Sequence, residues 1–114
     1  MAKAQVLPER ERGVCCTVEL ELPPARADEV AEVLKAIADP TRLQMLLALR
    51  AAKEPACICD FTATFGLSQP TVSHHMKKLR DAGLVDATRK GIWTYYALRP
   101  HLPERIRRIV EALS

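Results

Sequence analysis

Four cysteines, in two close pairs, are the residues of this sequence best suited to specific chemistry. Cys15 and Cys16 are adjacent near the N-terminus, whereas Cys57 and Cys59 are separated by one residue and followed by Asp60. The N-terminal stretch lacks the apolar region of a secretory signal, so we expect a cytoplasmic protein whose thiols stay reduced. Paired thiols in a reducing compartment are more often metal-binding or redox-active than disulfide-bonded.

Thiolate sulfur is a soft ligand that selects soft ions over magnesium or calcium. Three thiolates suit trigonal As(III) or Sb(III), and four suit Cd(II), Pb(II) or Zn(II) in tetrahedral sites. The count of four cysteines leaves both sets of ions open. An adjacent Cys-Cys pair is awkward for tetrahedral chelation, so the sequence favours As(III) or Sb(III) as effector. We expect no organic cofactor.

The second cysteine pair stands where the sequence predicts the start of a short helix. Residues two apart on a helix point about 200° away from each other. On that prediction, Cys57 and Cys59 bind one ion together only if the first turn unwinds; otherwise one of them binds alongside Cys15 and Cys16. The helix N-terminus, with Lys53 nearby, is expected to favour the thiolate forms.

Other interpretations of the cysteines stay open. Reversible oxidation would make the chain a redox sensor instead of an ion sensor. Cys57 and Cys59 could also be small buried side chains, and Cys15 and Cys16 part of an inert tail. We do not expect an enzyme, because no paired base or substrate-pocket motif accompanies the thiols.

The rest of the chain has the composition of one small domain preceded by an arm. Its 114 residues are 48% hydrophobic and 27% charged, and the net charge of +3 suits an acidic partner such as nucleic acid. No apolar run approaches the ~20 residues of a membrane span, so no membrane partner is expected. Residues 1–24 lack a helical period and predict an extended arm that carries Cys15 and Cys16, while residues 25–114 predict the folded domain.

The sequence patterns of the folded domain predict helices followed by one β-hairpin. A helix N-capped by Asp39 and opened by Pro40 is apolar nearly all round, so we expect it to be central and buried. A short helix ends at Gly66, and the next, capped by Ser68, runs to about Ala82. The stretch LVDATRKGIWTYYAL then predicts a β-hairpin around a Lys-Gly turn. Two short helices followed by a hairpin describe a winged helix-turn-helix, a mainly α fold.

The second helix of this unit has the side chains expected of a DNA reader. Short donors and acceptors near its start suit base edges, and lysines further along suit phosphates. The hairpin tip adds two basic residues for the DNA backbone or minor groove. The predicted contacts to operator double-stranded DNA are Ser68, Gln69, Thr71, Ser73, His74, Lys77, Lys78, Arg89 and Lys90. The alternatives are a merely solvated face, or a winged helix that binds protein.

Apolar stripes on the first and last helices predict a two-fold homodimer. Both follow the i, i+3, i+4, i+7 spacing of a helical face, with residues Val30, Val33, Leu34, Ile37, Ile106, Ile109, Val110 and Leu113. A domain of this size has little core left to cover both stripes, so we expect them at the dimer interface. Such a dimer would set two recognition helices about 34 Å apart, one turn of DNA. The alternative is that the stripes cap the core of a single protomer.

Three segments resemble the ArsR/SmtB family of metal-responsive winged-helix repressors: ADPTRLQML, CICDFTATFGLSQPTVSHHMKKLRDAGLV and RKGIWTYYAL. The resemblance covers residues 30–98. It implies a homodimer that binds operator DNA without metal and leaves it when a metal or metalloid ion binds. Arsenite- and cadmium-sensing members carry a Cys-x-Cys-Asp motif, which Cys57, Cys59 and Asp60 match. The resemblance therefore implies that the cysteines of this motif are ligands of the ion.

The sequence departs from the family pattern at two sites. Thr62 stands where arsenite sensors with a third cysteine in this helix carry it. A zinc site found on the last helix of some relatives is not expected here. Among the ligands that such a site needs, this sequence offers only His101. The resemblance instead implies that Cys15 and Cys16 complete the thiolate site, from the same subunit or from the arm of the partner.

Overall fold

A computed structural model describes residues 5–114, so residues 1–4 of the predicted arm lie outside the described residues. The helices are α1 (Pro24–Ile37), α2 (Pro40–Ala51), α3 (Ile58–Phe65), α4 (Gln69–Asp81) and α5 (Glu104–Ala112). The strands are β1 (Ala56–Cys57), β2 (Val85–Lys90) and β3 (Trp93–Leu98). Residues 5–23 precede these elements as an exposed arm without helix or strand. None of the helices in residues 5–114 combines the length and apolar character needed to cross a bilayer.

The strands form an antiparallel sheet in the order β1-β3-β2. The β2–β3 hairpin, called the wing from here on, pairs Val85 with Leu98 and Lys90 with Trp93. Its turn lies at Gly91, whose φ of +62° suits the first position of a two-residue hairpin turn. Strand β1 was not predicted, and it ties the segment before α3 to the middle of β3.

Helix α2 is the centre of the core, as its apolar sequence predicted. Met45, Leu46 and Leu49 are buried and pack with the inner faces of the other helices. Helix α4 contributes Val72, Met76 and Leu79, which are all fully shielded from solvent. The inward face of α4 is thereby fixed, and its opposite face is left for solvent or a ligand.

Half of the residues in the predicted dimer stripes belong to the protomer's own core. The buried ones are Val33, Ile37, Ile106 and Val110. Helical spacing alone cannot distinguish packing on the same chain from packing on a partner. The predicted interface therefore narrows to the residues that keep accessible surface, which are Val30, Leu34, Ile109 and Leu113.

Local caps fix the ends of the helices. The Asp39 carboxylate accepts the Arg42 backbone N–H at 2.9 Å, which confirms the predicted N-cap of α2. This hydrogen bond lowers the pKa of Asp39 below its ordinary 3.8. The Ser68 hydroxyl accepts the Thr71 N–H at 3.4 Å and caps α4, while Gly66 ends α3 with a left-handed φ of +64°.

The Arg42 side chain joins three helices. Its Nε donates to the Ala36 carbonyl at 2.7 Å, and Nη2 lies 3.4 Å from the Lys35 carbonyl, both at the end of α1. Its Nη1 lies 3.4 Å from Nδ1 of His75 on α4, a contact that requires a neutral ring with the proton on Nε2. Burial lowers the pKa of His75 below its ordinary 6.5. Helix α4 is thus held to the α1–α2 junction through an uncharged histidine.

Helix α5 is held by two further arginines. Arg50 of α2 donates from Nη1 to the Val110 carbonyl at 3.0 Å, near the C-terminal end of α5. Arg105 of α5 donates from Nη2 to both Glu29 carboxylate oxygens of α1, at 2.9 and 3.0 Å. These contacts join α5 to α2 and to α1.

Asp39→Ala is expected to lower the thermal midpoint by about 5 °C, because it removes the N-cap acceptor of α2. Because the pKa of Asp39 is lower in the folded chain than in the unfolded chain, the ionised carboxylate stabilises the fold above pH 3.8. This stabilisation is lost as the pH falls through the folded-state pKa. Thermal unfolding followed by circular dichroism at neutral pH measures the effect. Asp39→Asn keeps an acceptor and serves as the control; equal midpoints for all three proteins would contradict the cap.

His75→Gln is expected to flatten the dependence of stability on mildly acidic pH. Because the pKa of His75 is lower in the folded chain, the unfolded chain takes up the proton first as the pH falls. The free energy of unfolding is therefore highest above pH 6.5 and declines as the pH falls toward the folded-state pKa of His75. Urea unfolding from about pH 7.5 to about pH 5.5 checks this, with the exposed His74→Gln as control. An equally steep decline in both variants would argue against the Arg42–His75 contact.

Candidate thiol centre and nucleic-acid interface

Cys57 lies at the junction between β1 and α3. It is the N-cap of α3, with an extended backbone at φ −74° and ψ 150°. On one side β1 pairs Cys57 with Tyr95 of the wing, and on the other the Cys57 N–H donates to the Asp60 carboxylate at 2.9 Å. The backbone that carries this thiol is therefore fixed from both directions.

The Cys57 and Cys59 thiols lie next to each other. They interact closely enough to shift the pKa of Cys59, with Cys57 buried and Cys59 exposed. The expectation that helical geometry points them apart is wrong, because Cys57 precedes the helix and only Cys59 has helical backbone. Both sulfurs can therefore meet one ion without unwinding the first turn of α3.

The Cys59 thiol is harder to ionise than an isolated cysteine. Its hydrogen bond with Cys57, with added desolvation and the nearby Asp60 carboxylate, raises the pKa of Cys59 above its ordinary 9.0. The expectation that the helix N-terminus and Lys53 favour the thiolate is wrong for Cys59. In the ion-free protein this group is a thiol at neutral pH, so ligation must displace its proton.

Cys15 and Cys16 are exposed on the arm. Within residues 5–114 of one protomer, no three His, Cys, Asp or Glu side chains converge closely enough to hold a metal ion. The protomer thus brings together two of the four predicted thiol ligands. Trigonal As(III) would need a third ligand, which the arm of either subunit contains.

The predicted DNA-contacting residues lie on α4, just before it, and on the wing. All except Ser73, which is half-buried, are exposed: Ser68, Gln69, Thr71, His74, Lys77, Lys78, Arg89 and Lys90. Lys77 lies 2.7 Å from the Asp81 carboxylate one turn along α4, an exposed pair that phosphate can replace at little cost. Arg89 and Lys90 end strand β2 beside the turn of the wing. These elements combine an exposed helix with a basic hairpin, as a groove reader requires.

A groove of about 400 Å³ opens between α3, the start of α4 and the wing. We call it the wing groove, and its lining residues are Ile58, Cys59, Thr62, Gln69, Ile92 and Trp93. Ile92 is 80% and Trp93 48% exposed, although both are large and apolar. Sequence reasoning missed this groove; the available signal was an Ile-Trp pair directly after the glycine of a hairpin turn.

Comparison with known proteins supports a regulatory family. Residues 39–87 match the family model described as bacterial regulatory protein, arsR family. The arsenic resistance transcriptional regulator ArsR1 of Pseudomonas putida is 44% identical over 72 residues, which cover 63% of this chain and 56% of that protein. The arsenical resistance operon repressor of Escherichia coli K12 is 36% identical over 80 residues, which cover 70% of this chain and 68% of that protein.

The fold has a solved counterpart. The homodimeric winged helix-turn-helix DNA-binding domain of a possible ArsR-family regulator from Mycobacterium bovis superposes with a TM-score of 0.64 and 31% identity. The match covers 78% of each chain. The extent of the E. coli match, and this shared architecture, agree with the resemblance seen in the sequence. The chain therefore belongs to the ArsR/SmtB family of winged helix-turn-helix transcriptional repressors.

Proposed function

We propose that this protein is a homodimeric repressor that binds operator DNA and releases it when As(III) or Sb(III) binds its cysteines. The observation that carries the proposal is the contact between the Cys57 and Cys59 thiols at the start of the helix before α4. Two relatives named for arsenic or arsenical resistance support the class of effector. No enzymatic activity is proposed.

DNA binding is proposed for α4 and the wing. Gln69, Thr71 and Ser73 would read base edges near the N-terminus of α4, while Lys77 and Lys78 would contact phosphates. Arg89 and Lys90 would add backbone or minor-groove contacts from the wing. The full proposed set also includes Ser68 and His74. Its support is the exposure of these side chains, all but the half-buried Ser73.

Dimerisation is proposed through α1 and α5. Leu34 is a large, exposed apolar side chain on α1, and Ile109 and Leu113 keep partial exposure on α5. The Arg105–Glu29 ion pair holds the two helices in register with each other. A closed two-fold interface on this surface would place two α4 helices on successive turns of the duplex.

The effector site is proposed to contain Cys57 and Cys59 of one subunit with Cys15 or Cys16 of an arm. As(III) bonded to three sulfurs would need one arm thiolate, whereas Cd(II), Pb(II) or Zn(II) in a tetrahedral site would use all four cysteines. We favour As(III) or Sb(III), because two thiols are already in contact and the arm pair is adjacent in sequence.

We propose that ion binding alters DNA binding through a movement of α3. The backbone of Cys57 is held by the β1–β3 pairing, so the pull of an ion bonded to the pair and to an arm thiolate would act on α3 through Cys59. Helix α3 packs directly against α4 and is joined to it by a short turn at Gly66. An effector that favours the shifted form can weaken DNA binding by up to about 150-fold.

A thiol redox sensor is the second candidate, favoured by the same contact between Cys57 and Cys59. Peroxide would take two electrons and two protons from the pair, forming one disulfide and two molecules of water. DNA release by peroxide, together with no response to arsenite, would select this candidate over the first.

Cys57→Ser is expected to abolish release by As(III) while leaving operator affinity in the ion-free state unchanged. Fluorescence anisotropy with a labelled operator measures both quantities, and the wild type should show a dissociation constant raised about 100-fold by As(III). Ala63→Ser, an exposed change on the same helix, is the matched control. Normal As(III) release of the Cys57→Ser protein would rule out Cys57 as a required ligand.

The number of protons released when the protein is titrated with each ion is expected to distinguish As(III) from Cd(II). Neutral arsenous acid exchanges its hydroxyl groups for thiol sulfur and yields water, whereas Cd(II) displaces thiol protons into solution. Since the pKa of Cys59 is raised, Cd(II) binding should tighten steeply with pH while As(III) binding stays nearly constant. Calorimetry in buffers of different ionisation enthalpy measures the protons; equal release with both ions would contradict this ligand set.

A further inference from the structure

We propose that Ile92, at the tip of the wing, enters the minor groove of operator DNA as an apolar wedge and selects an easily deformed base step there. The proposal rests on the DNA binding proposed above for α4 and the wing. The contacts proposed for Arg89 and Lys90 are those of basic side chains, whose main term is electrostatic attraction to the duplex. Ile92 would add a contact of another kind, which depends on DNA sequence through the shape of the duplex.

Ile92 occupies the second position of the two-residue turn that joins β2 to β3. Lys90 and Trp93 form the last pair before the turn, and Gly91 takes the first position with a φ of +62°. Within residues 5–114 only glycines have a positive φ, so Ile92 has the ordinary backbone of the second position in a type II′ turn. Turn positions are usually filled by glycine, proline or small polar residues. An exposed, β-branched apolar side chain is therefore required neither by the turn nor by the core.

The wing carries this side chain away from the body of the domain. Its base is buried at Val85, whereas the last three residues of β2, the turn and Trp93 are exposed. Those three residues alone extend about 10 Å, at about 3.4 Å for each residue. The minor groove is about 7.5 Å deep, so the tip can enter it while the base of the wing stays packed. Arg89 and Lys90 would then contact the phosphates that border the groove.

Ile92 shares the wing groove with the start of the proposed recognition helix. It lines this groove together with Trp93 and with Gln69, the first residue of α4. Ile92 and Trp93 are also two of the three large apolar side chains that are exposed within residues 24–114. With α4 in the major groove, one sugar-phosphate strand would cross the wing groove, and the wing tip would meet the adjoining minor groove. The uncovered apolar pair thus continues the proposed DNA interface.

An isoleucine side chain reads DNA by shape, because it has no group that hydrogen-bonds to base edges. Its gain comes from leaving water, and it fits best where two neighbouring base pairs separate to admit it. Pyrimidine–purine steps such as TA and CA kink and unstack more easily than other steps. An apolar wedge therefore favours duplexes that carry such a step under the wing tip, outside the bases that α4 contacts.

Selection of duplexes from a pool of random sequence tests this preference. The wild type and an Ile92→Ser protein each select duplexes at one ionic strength, and both selected pools are sequenced. The wild-type pool should be enriched about tenfold in TA or CA steps at one position on each side of the bases contacted by α4. The Ile92→Ser pool should keep the central bases and lose the flanking enrichment. Ile92→Val, which keeps an apolar β-branched side chain, should retain it.

The salt dependence of binding distinguishes a wedge from a phosphate contact. With one duplex from the wild-type pool, fluorescence anisotropy should show binding weakened about tenfold by Ile92→Ser. The slope of log Kd against log salt should stay unchanged, because no phosphate contact is lost. Lys90→Gln should reduce that slope by about one. Thermal unfolding should give equal midpoints for the wild type and Ile92→Ser, since Ile92 is exposed.

The outcomes separate the wedge from the DNA binding on which it rests. Equal flanking preferences in the wild type and Ile92→Ser, or equal affinities for the same duplex, would overturn the wedge and leave DNA binding intact. A smaller salt slope in Ile92→Ser would also overturn it, because the residue would then act through phosphates. Failure of the wild type to select any duplex would contradict the proposed function itself.

Discussion

An extended residue at the start of a helix is the constraint on which the proposed sensor depends. Pairing of β1 with β3 holds Cys57 in extended conformation, and the Asp60 carboxylate accepts its N–H, so α3 begins one residue later. This offset lets the Cys57 and Cys59 sulfurs meet, whereas a regular helix would direct them apart. A two-residue strand thereby brings two cysteines together as the proposed chelating pair.

The same junction connects the thiols to the surface proposed to read DNA. Helix α3 ends at a left-handed Gly66, and α4 starts three residues later beside the wing groove. Helix α4 is also held from behind by Arg42, through its contact with the neutral His75. An ion at the thiol pair would therefore act on the proposed recognition helix through α3, which packs directly against it.

Local signals allowed much of this fold to be predicted from sequence. The caps at Asp39 and Ser68 and the inward face of α4 depend on neighbours within a few residues, and the structure agrees with them. Strand β1 depends on pairing with residues nearly forty positions away, so its two residues carried no recognisable pattern. Without β1 both cysteines were treated as helical, so the prediction that their side chains point apart was wrong. Half of the apolar stripe residues pack within the protomer, which periodicity could not show, since it indicates a face and not its partner.

Arsenic-edge X-ray absorption on the loaded dimer tests the central claim most directly, because it counts the sulfur atoms bound to the ion. The account predicts three sulfur neighbours per arsenic in the wild type, and loss of one sulfur when Cys57 or Cys59 is replaced by serine. An arsenic environment unchanged by both replacements would contradict the claim that this pair forms the sensing site.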